Sequence, residues 1–148
     1  MRAVVQRVLN ASVEIEGKVY SSIDKGLLVL LGVSGGDTQQ DVDYIVKKIA
    51  GLRIFEDTQG KQNLSVKDIS GEIMVVSQFT LLGDVRKGNR PSYSDAMEPQ
   101  MAERIYRQVV EGLCEDFTVA TGSFGSMMHV GLVNDGPVTI LLDSRRMF

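Results

Sequence analysis

Gly26-Leu27-Leu28-Val29-Leu30-Leu31-Gly32-Val33 is a continuous apolar run bounded by turn-forming residues. Its length and its glycine flanks favour a central strand over a helix. A strand that is apolar on every residue implies a sheet covered on both faces, to which a dimer could contribute. Working outward, Met1 to Leu9 is valine-rich and alternates imperfectly, as an internal strand does. Ala11, Val13 and Ile15 alternate with Ser12 and Glu14, the period of a half-buried strand. Glu16-Gly17 then turns the chain into Lys18-Val19-Tyr20, which reads as a hairpin.

Beyond the apolar run, Ser34-Gly35-Gly36-Asp37 is a loop. Asp37 is placed to cap a helix, with Gln40 three residues on reaching back. Val42, Ile45, Val46, Ile49 and Leu52 share one helical face. Arg53 to Phe55 reads as a strand, and Asn63 to Val66 as its return. Gly71 opens a strand through Ile73-Met74-Val75-Val76 that ends at Ser77-Gln78-Phe79-Thr80. Met101, Ile105, Val109 and Leu113, joined by Ala102, Tyr106 and Val110, mark a second amphipathic helix with Pro99 near its first turn. Phe117 to Ala120, Met127 to Val133 and Val138 to Leu142 read as three closing strands. The expected fold class is α+β. It is a single domain over residues 1–148, built on antiparallel sheet curled toward a barrel, with about two amphipathic helices.

A chain of 148 residues buries enough surface to fold without metal or disulfide. One cysteine, Cys114, permits no internal disulfide and fits a reducing compartment. No secretory leader is recognisable, and no stretch reaches the apolar length of a membrane span. The expected location is the cytoplasm. A net charge of −3 argues against broad coating of nucleic acid, while leaving room for a local patch that grips one part of an RNA.

The inventory of reactive groups is poor. One histidine, one cysteine and no acids at ligand spacing make a zinc site improbable. A serine triad would have to recruit His129, which sits between Met128 and Val130 in a strand-like run and reads as a strand residue. Cys114 ends an apolar helical face without a basic neighbour, which favours a packed thiol over a nucleophile. Gly32 to Gly36 lacks the lysine of a Walker loop and the spacing of a dinucleotide-binding loop. Catalysis by this chain would therefore rest on positioning, backbone donors, hydroxyls or the substrate's own groups.

Two stretches carry such groups. Ser77, Gln78 and Thr80 stand at a strand end, where they either line a cleft or simply mark the chain leaving the core. Asn134-Asp135-Gly136-Pro137-Val138-Thr139 contains a Gly-Pro step. It is either a turn or a rigid pair of carbonyls able to act as a steric gauge for chirality. Between them, Arg86-Lys87-Gly88-Asn89-Arg90 is either a solvated surface or a receiver of phosphate.

Taken together these residues resemble the D-aminoacyl-tRNA deacylases along the whole chain. Met1-Arg-Ala-Val-Val-Gln-Arg-Val8 is similar to that family's opening. Ser77-Gln-Phe-Thr80, Leu81-Leu-Gly-Asp84 and Arg86-Lys-Gly-Asn-Arg-Pro91 resemble its first motif and basic loop. Phe124-Gly-Ser-Met-Met128 and Asn134 to Thr139 resemble its second motif. The resemblance implies a homodimeric hydrolase of the ester between a D-amino acid, or glycine, and the terminal adenosine of tRNA. It implies a cis Gly136-Pro137 peptide that enters the partner's pocket and rejects L-residues, with Arg7 holding that peptide. Ser77, Gln78, Phe79 and Thr80 would line the site of cleavage, and Met128 would contact substrate. No cofactor or metal is implied. Catalysis would use either Thr80 as nucleophile or the ribose 2′-hydroxyl with N–H donors near Phe79 and Thr80; the shortage of bases favours the second. The competing expectation is a non-catalytic module that binds the aminoacylated tRNA end.

Overall fold

The structure, a computed structural model, describes residues 1–147. Strand β1 (Arg2–Ile15) is the longest early element and runs through both stretches that sequence reading treats separately. Its alternation breaks where Arg7 and Val8 are both buried and Leu9 and Asn10 are both exposed. That break is a change of phase at a bulge, and it accounts for the imperfect pattern. β1 turns through Glu16 and Gly17, both at positive φ, into β2 (Lys18–Ile23), the expected hairpin.

β3 (Gly26–Gly32) is the apolar run, and it lies between β1 and β6 (Glu72–Ser77). Leu27, Val29 and Leu31 join the core under the helices, whereas Leu28 joins a second core with Val8, Ala11, Val13, Ile23, Met74 and Val76. Both faces of β3 are thus covered within one chain, which is why every residue of it is apolar. Gly26 permits the β3–β6 approach: a Cβ there would lie 1.8 Å from the carbonyl oxygen of Glu72.

The sheet runs β2-β1-β3-β6-β7, with β7 spanning Val119–Thr121, and β8 (His129–Asp143) pairs with the other side of β1. The Ser21 hydroxyl donates to the carbonyl of Thr121 at 2.7 Å, bringing β2 and β7 together so that the sheet nearly closes. The α+β class and the barrel-like curl are as expected. The β3–β6 and β6–β7 pairs, however, are parallel, joined by connections that carry α1 (Gln39–Gly51) and α2 (Pro99–Cys114). A period-two pattern records which face is buried but not strand direction.

Several local expectations are corrected. Thr38, not Asp37, caps α1, and Asp41 rather than Gln40 returns the bond, accepting from the Thr38 N–H at 2.8 Å. Asp37 is turned inward by stronger donors, the Met1 ammonium at 2.8 Å and the Ser34 N–H at 2.7 Å. The Arg53–Phe55 strand is displaced to β4 (Phe55–Glu56), which pairs with β5 (Gln62–Leu64). On α2, Ala102, Tyr106, Val109 and Leu113 face inward, while Met101 is exposed. Cys114 is exposed too, not packed, because it follows Leu113 by one residue and so turns off the buried face. The last two expected strands are one: β8 is continuous through the Gly-Pro step. Among the described residues no helix is long and apolar enough to cross a membrane.

Candidate active site

β6 ends at Ser77, opposite Leu31 of β3, and the Gln78 N–H donates to the Leu31 carbonyl at 2.7 Å. The chain then winds into a short 3-10 turn, Phe79–Leu82, whose first internal bond is Leu81 N–H to Gln78 O at 3.3 Å. The N–H groups of Phe79 and Thr80 precede that bond. They have no backbone acceptor among the described residues, as geometry requires at the start of such a turn. Two adjacent N–H donors without acceptors form an anion-binding corner. The Thr80 hydroxyl accepts from the Gln78 side-chain amide, and among the described residues no acid, histidine or lysine side chain bonds to it.

Phe79 is 57% exposed and stands edge-on to Tyr93, ring centroids 5.0 Å apart. Tyr93 belongs to the 83–98 segment, which folds back as a hairpin. Asp84 and Ser92 exchange backbone bonds at 2.8 and 2.9 Å, and Asp95 O and Met97 N–H bond to Gly35 N–H and Val33 O. Arg86 pairs with Asp84 at 2.7 Å and holds its carboxyl down at about 2.

The Gly-Pro step sits on β8 opposite Arg7. Thr139 pairs with Gln6 and Asn134 with Val8, so Asp135, Gly136, Pro137 and Val138 bulge out against Arg7 alone. Proline has no N–H to give a ladder, and the bulge removes that demand. The Gly136-Pro137 peptide is cis, and Gly136 has φ +125°. Asn134 closes the base of the bulge, accepting from Val138 N–H at 3.1 Å and donating to the Thr139 hydroxyl at 3.2 Å. Arg7, 5% exposed, braces it from below. Its Nε donates to the Asp135 carbonyl at 3.0 Å and lies 3.2 Å from the Asp135 carboxylate, while its other arm donates to Ile54 O at 2.7 Å. Arg7 thus reaches the step through the residue before Gly136. A Cβ on Gly136 would meet the same guanidinium at 2.8 Å.

Met128 is half-buried against the second core, its sulfur accepting from the Ser123 N–H at 3.3 Å. Nearby, a cleft of about 430 Å³ opens between α2 and the 121–124 segment, lined by Tyr20, Tyr106 and Phe124 among others. The Tyr106 hydroxyl donates to Val75 O at 2.7 Å, and burial raises its pKa, so it is a strut rather than an acid. His129 is an exposed strand residue.

The structure brings Ser77, Gln78, Phe79 and Thr80 together, and separately brings Arg7, Gly136 and Pro137 together. It does not join the two groups within one chain. By register, Ser77 is level with Leu31 and Ala3, whereas the bulge is level with Arg7. Four residues along β1 and three strand steps across place the groups about 20 Å apart on an uncurled sheet. Tyr93 escapes sequence reading, because a loop aromatic leaves no periodic signal; Asn134 and Asp135 are read there as part of the Gly-Pro stretch, but their clamping bonds are not.

The family described as D-Tyr-tRNA(Tyr) deacylase matches residues 4–143. The D-aminoacyl-tRNA deacylase of Thermosipho africanus is 55% identical over 150 residues, covering 100% of both chains. That of Myxococcus xanthus is 59% identical over 145 residues, covering 97% of this chain and 95% of its own. Among solved structures, a c-Myc DNA unwinding element binding protein superposes with a TM-score of 0.92 at 46% identity, covering 97% of this chain and 98% of that one. A probable eukaryotic D-amino acid tRNA deacylase shares the fold at a TM-score of 0.81 and 15% identity, covering 95% and 97%. Matched over residues 4–143 by the family's model and along its whole length by a D-aminoacyl-tRNA deacylase at 55% identity, the chain belongs to the D-Tyr-tRNA(Tyr) deacylase family.

Proposed function

We propose that this chain hydrolyses the ester joining a D-amino acid, or glycine, to the terminal adenosine of tRNA, and spares the L-ester. The observation that carries the reading is the pair of N–H donors at Phe79 and Thr80, beside a threonine to which no acid, histidine or lysine side chain bonds among the described residues. Ester hydrolysis develops negative charge on the carbonyl oxygen, and fixed N–H donors stabilise that charge without reorganising. The attacking water then needs its proton taken by a group outside the side-chain inventory. The 2′-hydroxyl of the terminal ribose lies next to the ester and serves as a relay, taking the water's proton as it gives its own to the departing 3′-oxygen. Exposed Phe79 and Tyr93 offer apolar area for the adenine or the ribose.

Chirality is read by the Gly136-Pro137 bulge. A backbone wall braced by a buried arginine cannot repack around an L side chain, whereas a D side chain points away and glycine has none. Because the bulge and the donors are far apart in one chain, the wall is supplied in trans by a second copy. β8 has no strand partner on its outer edge among the described residues, and Leu132, Val133 and Leu141 are exposed along it. Such an edge suits pairing with a second copy. The protein acts in the cytoplasm, where tRNA is charged.

The test is ester loss from D-tyrosyl-tRNA and L-tyrosyl-tRNA without added metal. Rapid loss of the D-ester alone supports the reading. Survival of both esters despite tight binding would make the chain a binding module for the aminoacylated end.

A further inference from the structure

The 3-10 turn that begins at the Phe79 and Thr80 donors ends at the mouth of a second cleft, of about 470 Å³, lined by Leu82 and Gly83. At about 2 Å of rise per residue, the turn puts this cleft about 6 Å from the donors, within reach of the next stretch of a nucleic-acid backbone. Three arginines from distant parts of the chain line it: Arg2 from β1, Arg86 from the hairpin and Arg145 from the segment after β8. Each is held by bonds that engage only part of its guanidinium. Arg2 donates to Asp143 and to Leu81 O, both at 3.1 Å; Arg86 to Asp84; Arg145 to Gly35 O at 2.8 Å and to the Asp37 carboxylate at 3.4 Å through the same nitrogen. A guanidinium has more N–H donors than these bonds use. Asp84 and Asp143 are occupied by these same arginines and their neighbouring N–H groups. The remaining carboxylate at the cleft, Asp95, has no hydrogen bond among the described residues and opposes an anion.

We infer that this cleft is a phosphate subsite for the RNA backbone just before the terminal adenosine, gripped by Arg2, Arg86 and Arg145 and weakened by Asp95. The inference rests on the deacylase reading and extends it from the reacting end to the backbone that leads there. Arg2 ties the two together, since the carbonyl it grips, Leu81 O, belongs to the turn that carries the donors. Phosphate contacts fix register and orientation without reading sequence, as a proofreader of many tRNAs requires. The opposing Asp95 keeps the grip modest, so that the freed tRNA leaves.

The experiment compares two substrates, D-tyrosyl-tRNA and 3′-D-tyrosyl-adenosine, which carries the ester but no phosphate. Arg86→Ala and Arg145→Gln should lower kcat/KM on the tRNA relative to the adenosine ester by about three- to tenfold at low salt. Asp95→Asn should raise the same ratio. In parallel, the log–log salt slope for binding uncharged tRNA should fall by about 0.7 for each phosphate contact removed. Variants that move both substrates equally and leave the salt slope unchanged overturn the subsite. Wild-type protein that cleaves neither ester overturns the deacylase reading instead, and the salt slopes still decide the subsite.

Discussion

Replacing Phe79 by proline, with Phe79→Ala as its control, isolates one backbone N–H. Phe79 is the first residue of its 3-10 turn, and Gln78 before it lies outside the helical region, with φ −147° and ψ 79°. Proline is tolerated at the first position of a helical turn and favours an extended predecessor. The Phe79 N–H has no backbone acceptor and the ring is exposed, so neither variant removes a folding contact beyond the Tyr93 edge, which both lose. If that N–H faces the developing oxyanion, its loss costs about 2.7–4 kcal/mol of transition-state stabilisation, or about 10²–10³ in rate. Single-turnover hydrolysis of D-tyrosyl-tRNA measures it, with the thermal midpoint as a check on folding. Phe79→Pro should fall below Phe79→Ala by that factor, while Thr80→Ala, which keeps both N–H groups, retains most activity. Equal rates for the two Phe79 variants, both folded, would refute the oxyanion argument. Complete loss in folded Thr80→Ala would restore Thr80 as nucleophile.

Arg7→Ala leaves Ile54 O and the Asp135 carboxylate without their donor and should cost about 2–3 kcal/mol in denaturant titration. It should also relax discrimination against L-tyrosyl-tRNA, read as the ratio of D- to L-ester rates. Tyr106→Phe removes one of two hydrogen bonds to the Val75 carbonyl, which keeps the Gly122 N–H at 3.2 Å, and should destabilise by about 1 kcal/mol, with no change in the pH profile of deacylation. Arg86 depresses the Asp84 carboxyl from 3.8 to about 2, so the pair's contribution is present above the ordinary value and is lost as pH falls through about 2. NMR titration of Asp84 should show that midpoint, and Arg86→Ala should move it back up. Leu132→Lys, on the outer part of β8, should shift sedimentation toward monomer and abolish deacylation together; an active monomer would sink the in-trans site.

The fold was legible where a residue's neighbours on both faces are settled by the chain itself. Leu27 to Leu31 reads as a central strand because each side chain enters one of the two cores, leaving no polar position to confuse the period. Strand direction was not legible, because Ile73 to Val76 would look the same paired parallel or antiparallel to β3. Nor was the choice between Asp37 and Thr38 as cap, which is decided by the Met1 ammonium from 36 positions away in the chain. Of the candidate site, the strand-end hydroxyls and amides were visible as residue types. The free N–H groups of Phe79 and Thr80 are a property of the turn, not of the letters. The partnership of Arg7 with Asp135 needs β1 and β8 side by side, more than a hundred positions apart in the chain.

The Gly-Pro step shows how one misread element changes the functional argument. Read as a turn between two strands, it would be a mobile tip, free to yield to an L side chain. As a bulge within one continuous strand, it is flanked by ladder pairs on both sides, closed at its base by Asn134 and braced by a buried guanidinium. Displacing it means breaking the Arg7 contacts to the Asp135 carbonyl and carboxylate as well as the ladder on either side, a cost of several kcal/mol at about 1–3 kcal/mol for each bond. Binding differences between similar substrates supply only about 1–3 kcal/mol. If the bulge is the chiral wall proposed above, an L-ester would lack the energy to push it aside, and selectivity would come from stiffness rather than from contacts tuned to any one side chain. A wall of that kind would reject by handedness alone, which would leave the D side chain itself unread and the range of D-amino acids broad.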